Sequence, residues 1–60
     1  MKERIVEWIR FVLERIQYWE FSEQVATRMG LIADAEHCAL RRSEFEELLG
    51  CLTELERIAA

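Results

Sequence analysis

The middle of the chain reads Met29-Gly30-Leu31-Ile32-Ala33-Asp34, which is the point where the fold is decided. The sequence contains no proline, and its only other glycine is Gly50. A glycine can end one helix, and an aspartate can cap the next by accepting hydrogen bonds from its free amides. The segment therefore predicts a turn between two helices, with Gly30 as the C-cap and Asp34 as the N-cap.

Before this turn, apolar residues recur with the period of an α-helix. Steps of four and three connect Ile5, Ile9, Val12, Ile16 and Trp19, as in the a and d positions of a heptad. Other large apolar residues widen this stripe to an arc of about 240° at 100° per residue. The predicted association surface comprises Ile5, Val6, Trp8, Ile9, Phe11, Val12, Leu13, Ile16, Tyr18 and Trp19.

The second half has a narrower apolar stripe of about 180°. Its predicted seam is Phe45, Leu48, Leu52, Leu55 and Ala59, flanked by Leu49, Cys51 and Ile58. Before Phe45, a capping box at Ser43-Glu44-Phe45-Glu46 offers a second helix start near residues 42–43, and Ser22 offers a similar start within the first half. At each serine the favoured interpretation is a continuous helix with an exposed hydroxyl, and a break is the alternative. The charged Arg41, in line with the seam, favours a break or an exposed stretch around residues 36–43.

These signals predict a single all-α domain folded as a helical hairpin. Helix one is expected at about residues 2–29, the turn at about 30–33 and helix two at about 34–58. The additional capping signals would divide this hairpin into three or four shorter helices.

The chain has 60 residues, and a domain of this size buries only about 60% of the surface of its unfolded chain. One partner helix covers a stripe of helix one and leaves much of its wide arc in water. We therefore expect a homodimer or small homo-oligomer, with two hairpins forming a four-helix bundle. A different protein partner is the alternative.

Charge and cysteine content restrict the class of protein and its cellular location. The net charge is −4, and residues 34–57 carry three basic and seven acidic side chains. An acidic half repels phosphate backbones. Two cysteines are too few for a disulfide scaffold, and no apolar run approaches the roughly 20 residues of a membrane span. A soluble, cytoplasmic protein is expected.

Asp34, His37 and Cys38 raise the question of a metal site, since they lie within one helical turn or so. Zinc usually takes four such ligands, and a di-iron bundle uses Glu-x-x-His pairs, so we expect no metal or cofactor. His37 and Cys38 diverge by about 100° on a helix, which argues against a thiol activated by histidine, and Cys51 has no neighbouring base in the sequence. We expect no catalytic residues and a protein that is not an enzyme.

Glu23 to Leu31 resembles the first helix and turn of a helix-turn-helix, with Arg28, Arg41 and Arg42 as candidate DNA contacts. Glu36 then occupies the position where an apolar residue should anchor the recognition helix. A DNA-binding transcriptional regulator is therefore the alternative function. The favoured function is a small non-enzymatic regulator or adaptor that acts through protein–protein association.

Overall fold

A computed structural model describes residues 2–59, with the side chain of residue 2 outside the description, and it contains two α-helices that form a hairpin. Helix α1 runs from Lys2 to Arg28 and helix α2 from Ile32 to Ala59. The hairpin measures 45 × 14 × 10 Å along its principal axes, so the two helices lie side by side over their length. Over the described range, neither helix has a stretch long and apolar enough to cross a bilayer.

The turn is a Schellman motif centred on Gly30. The Leu31 amide donates to the Ala26 carbonyl at 2.9 Å, and the Gly30 amide donates to the Thr27 carbonyl at 3.1 Å. Gly30 has a φ of 75°, in the left-handed region where a glycine has no steric penalty. The C-cap predicted at Gly30 is therefore present.

The N-cap predicted at Asp34 is wrong. Helix α2 begins at Ile32, and the Ala35 amide already donates to the Leu31 carbonyl at 2.9 Å. The Schellman motif supplies the reversal within a very short link, so the second helix starts at once. Asp34 lies in the first turn of α2, where its negative charge interacts favourably with the positive end of the helix dipole.

The two helices pack along seams with alternating steps of three and four. Side chains that are buried or half-buried at this spacing are, on α1, Ile5, Ile9, Val12, Ile16, Trp19, Glu23 and Ala26, and, on α2, Ala35, Cys38, Arg42, Phe45, Leu49, Leu52 and Glu56. The stripe from Ile5 to Trp19 on α1 thus lies in the seam, at the positions that its periodicity predicts. This is the packing of an antiparallel two-stranded coiled coil.

The predicted seam of α2 is partly wrong. Phe45 and Leu52 belong to the seam, but Leu48 and Leu55 are 41% and 51% exposed, and Leu49 takes the position predicted for Leu48. The break near residues 42–43 is absent, because α2 is continuous from Ile32 to Ala59. Ser43 and Ser22 both lie inside continuous helices, so the division into three or four helices does not occur.

The core of the hairpin is small. Among residues 3–59, Val12, Ala26 and Cys38 are the buried apolar side chains, and Val12 alone is fully buried. Most seam residues are only half-buried, since each helix is covered by a single neighbour. A core of this size leaves much of the apolar surface of the chain in water.

Candidate association surface

The residues that immediately precede the seam positions form one face of the hairpin. On a right-handed helix, each residue lies about 100° to one side of the residue that follows it. Because the two helices face each other and run in opposite directions, that side is the same for both helices. The large apolar residues and the cysteine at these positions, together with Ile58, which continues their spacing beyond the last seam residue, are here called the apolar face: Trp8, Phe11, Tyr18, Val25, Leu48, Cys51, Leu55 and Ile58.

The apolar face is exposed to solvent. Trp8 is 57% exposed and Phe11 48%, and their rings pack edge to face with centroids 6.0 Å apart at 85°. On the other helix, Leu55 and Ile58 are 51% and 70% exposed. Contiguous exposed apolar surface of this kind marks interaction sites on soluble proteins.

The apolar residues concentrate at the end of the hairpin away from the turn. Phe11 lies nearly as far before Gly30 along the chain as Leu48 lies after it. By the same count, Trp8 lies level with the part of α2 between Cys51 and Leu55. Equal separations from the turn place residues at the same level of the two antiparallel helices. The apolar patch at this end is defined as Trp8, Phe11, Leu48, Cys51, Leu55 and Ile58.

Nearer the turn, the same face is partly charged. The Arg15 guanidinium lies 4.7 Å from the centre of the Tyr18 ring and 5.7 Å from that of Trp19, within the range of cation–π attraction. On α2, Arg41 donates to the Glu44 carboxylate at 3.3 Å. Arg15 and Glu44 are almost equally far along the chain from Gly30, in opposite directions, so a cation on α1 and a carboxylate on α2 share one level.

The opposite face, formed by the residues that follow the seam positions, is mostly polar and is here called the polar face. Its large apolar residues are Val6, Leu13 and, at the turn, Ile32. The polar side chains at these positions are Arg10, Gln17, Glu20, Gln24, Thr27, Glu36, Ser43, Glu46, Thr53 and Arg57. The hairpin is therefore two-sided, with Trp8, Phe11 and Tyr18 on the apolar face, whereas Phe21, 66% exposed, lies outside that face beside Gln17, Glu20 and Gln24.

One ion pair crosses the seam near the turn. Arg42 donates to the Glu23 carboxylate at 2.5 Å, and the two side chains are 31% and 28% exposed. Close by, the Trp19 ring meets His37 edge to face at 5.9 Å. The Trp19 Nε1 is buried and has no hydrogen-bond partner among the described residues. The turn end of the seam therefore combines an ion pair, the Trp19 ring and the small side chains of Ala26, Ala35 and Cys38.

The predicted association surface is divided by the structure into three groups. Ile5, Ile9, Val12, Ile16 and Trp19 lie in the seam inside the hairpin, where α2 covers them. Trp8, Phe11 and Tyr18 lie on the apolar face, whereas Val6 and Leu13 lie on the polar face.

The α2 residues of the apolar patch were not predicted as part of an association surface. Leu48, Cys51, Leu55 and Ile58 step by three, four and three, which is itself a heptad spacing. That second stripe is the signal in the sequence that could have identified them.

The candidate metal ligands occupy separate environments. Cys38 is buried in the seam, whereas Asp34 and His37 are exposed, and His37 contacts Trp19. Within residues 3–59, no three side chains of His, Cys, Asp or Glu come together as a metal site. Cys38 and Cys51 are both free thiols.

The candidate DNA contacts are dispersed. Arg28 ends α1, Arg41 pairs with Glu44, and Arg42 is engaged with Glu23 in the seam. The helices of a helix-turn-helix meet at about 90–120°, whereas α1 and α2 lie antiparallel along their length. The segment from Glu23 to Leu31 is the end of a long helix and a hairpin turn.

No protein-family model matches this chain, and comparison with curated proteins and with solved structures finds no match either.

Proposed function

We propose that this chain is a small non-enzymatic regulator or adaptor that acts through protein–protein association of its apolar face, as one half of a four-helix bundle. The observation that carries the proposal is the apolar patch, in which two aromatic and three large aliphatic side chains remain about half exposed. A helix pair that is apolar on one side and polar on the other has the pattern of half a four-helix bundle.

The size of the patch supports this reading. At about 200 Å² for a fully exposed large side chain, the exposed fractions of Trp8, Phe11, Leu48, Leu55 and Ile58 correspond to about 500 Å². At about 25 cal/mol per Å², covering this area contributes on the order of 10 kcal/mol before the cost of association. That is comparable with the whole stability of a small domain, so association changes the balance between the folded and unfolded chain.

The composition of the patch supports a non-enzymatic role. Its one reactive group is the thiol of Cys51, and the only histidine of the chain, His37, lies much nearer the turn. At a rise of about 1.5 Å per residue, the two side chains are separated by about 20 Å along α2, far beyond the reach of a general base. Two free thiols also suit a reducing compartment, so we place the action of the protein in the cytoplasm.

Sedimentation equilibrium of a matched pair of variants tests the proposal. Phe11 and Leu13 lie on the same helix with similar exposure, 48% and 44%, but on opposite faces. Phe11→Glu should weaken self-association by about 100-fold or more, because it places a charge in the covered interface. Leu13→Glu should retain the assembly of the wild type.

Two results would overturn the proposal. One is a wild-type chain that is monomeric both when purified at micromolar concentration and in an extract of its native source. The other is an equal loss of association in Phe11→Glu and Leu13→Glu while circular dichroism shows unchanged helix content, since the apolar face would then have no special role.

A further inference from the structure

We infer that the occupant of the apolar face is a second copy of this chain, related by a two-fold axis parallel to the helices, so that both turns lie at the same end. This inference rests on the proposed function and specifies its partner and geometry. In this arrangement α1 of each copy packs against α2 of the other, and every neighbouring helix pair is antiparallel.

The area of the patch suits a second copy. A stable interface buries about 800 Å² on each partner, of which about 65% is apolar in homodimers. The apolar patch supplies about 500 Å² of exposed apolar side chain, which is close to that share. A self-complementary face needs no further partner to reach the size of a stable dimer.

The distribution along the hairpin selects the same-end arrangement. A two-fold axis parallel to the helices brings residues at equal distance from the turn against each other. Trp8 and Phe11 of one copy then lie against Leu48, Cys51 and Leu55 of the other. An axis across the helices with full overlap would instead place the apolar patch over the charged half of the face, near Arg41 and Glu44.

Charge complementarity supports the same choice. Arg15 on α1 and Glu44 on α2 share one level of the face. Within one copy Glu44 pairs with Arg41, and Arg15 lies over Tyr18. In the same-end dimer each Arg15 lies opposite Glu44 of the second copy, twice by symmetry. An axis across the helices places α1 against α1 and makes neither of these pairs.

Charge reversal followed by mixing tests the arrangement. Arg15→Glu alone places two acidic groups opposite each other at each contact between residue 15 of one copy and residue 44 of the other, here called a cross pair. Glu44→Arg alone places two basic groups opposite each other there. Each variant should lose about tenfold or more in dimer affinity at low ionic strength, where such pairs are least screened. An equimolar mixture should recover the affinity of the wild type to within about threefold, because both cross pairs become opposite in sign.

Native mass spectrometry of the mixture identifies the species, since the two variants differ in mass. A predominant heterodimer supports the arrangement when each single variant has also lost affinity relative to the wild type. An axis across the helices would set Arg15 against Arg15 and Glu44 against Glu44, so it would favour the same heterodimer but leave the single variants no weaker than the wild type; that result overturns the same-end geometry. The double variant Arg15→Glu/Glu44→Arg should dimerise with itself as a second check on folding. Dimers with no preference for the heterodimer overturn the same-end geometry and leave the proposed function standing. A monomeric purified wild type that migrates as a larger species in its native extract overturns the second copy as occupant but not association itself. Loss of the contrast between Phe11→Glu and Leu13→Glu overturns the proposed function.

Discussion

Gly50→Ala should stabilise the hairpin by about 0.5 to 1 kcal/mol, because glycine loses more backbone freedom than alanine when it folds into a helix interior. Gly50 lies in the interior of α2 on the polar face, and a Cβ built there meets nothing within 4 Å. No steric cost therefore offsets the gain. For a domain of this size, about 1 kcal/mol corresponds to a rise in Tm of roughly 4–8 °C.

Gly30→Ala provides the contrast at the other glycine. Its Cβ would also meet nothing within 4 Å, but its φ of 75° is a conformation that alanine adopts at a cost of roughly 1–2 kcal/mol. The two substitutions should therefore shift stability in opposite directions, although both add one methyl group in open space.

Thermal unfolding followed by circular dichroism measures both variants. Protein concentration must be equal in every sample, because the Tm of an associating protein depends on it. A loss of stability in Gly50→Ala with unchanged helix content would refute the reasoning. It would mean that another helix approaches α2 at Gly50 and that the polar face is the covered one.

Two further predictions concern the seam and the thiols. Glu23→Ala and Arg42→Ala should each lower the free energy of unfolding by about 1–2 kcal/mol, because each leaves a half-buried charge without its partner, and the double variant should cost less than the two together. Urea unfolding of the three variants checks this, and strict additivity would show that the pair does not couple. Cys51 should react with a thiol reagent about tenfold more slowly in the wild type than in Phe11→Glu, since a partner covers it only in the associated state, while Cys38, 7% exposed, should react slowly in both. Equal rates at Cys51 in the two proteins would contradict burial of the apolar patch on association.

The seam of the first half could be predicted from the sequence because its positions from Ile5 to Trp19 are all apolar. Val6, Ile9, Leu13 and Ile16 satisfy the same spacing, but that stripe reaches Glu20 where the other reaches Trp19, which favours the register that starts at Ile5. Gly30 is equally clear, since a glycine between two helical patterns has few other roles. The hairpin follows from these two features.

The register of the second helix is not evident in the sequence because its true seam includes polar and small residues. Arg42 and Glu56 occupy seam positions, and Ala35 and Cys38 contribute little apolar area, whereas Leu48 and Leu55 satisfy the same spacing. Arg42 belongs in the seam because Glu23 on the other helix pairs with it. A pairing between helices is not visible in the periodicity of either helix alone.

That apolar surface stays exposed on the hairpin could be predicted from the sequence, but its location could be predicted only in part. The wide apolar arc of helix one indicates that surface remains uncovered, and Trp8, Phe11 and Tyr18 do lie outside the seam. Which residues of α2 lie on the same face as Trp8 and Phe11 depends on which side of the α2 seam adjoins that face. That relation is settled by the antiparallel direction of the helices, which only the turn at Gly30 determines.

The short link at Gly30 also sets the order in which the hairpin closes. Contacts next to the turn enclose the shortest loops and cost the least chain entropy, whereas those between Ile5 and Glu56 enclose about 50 residues. The open end of the hairpin is therefore the last part to form and the first to fray. The apolar patch lies at that end, so docking of a second copy there would stabilise the part of the hairpin that is least stable in the monomer. In the proposed dimer, the final stage of folding and the binding of the second copy would be one step.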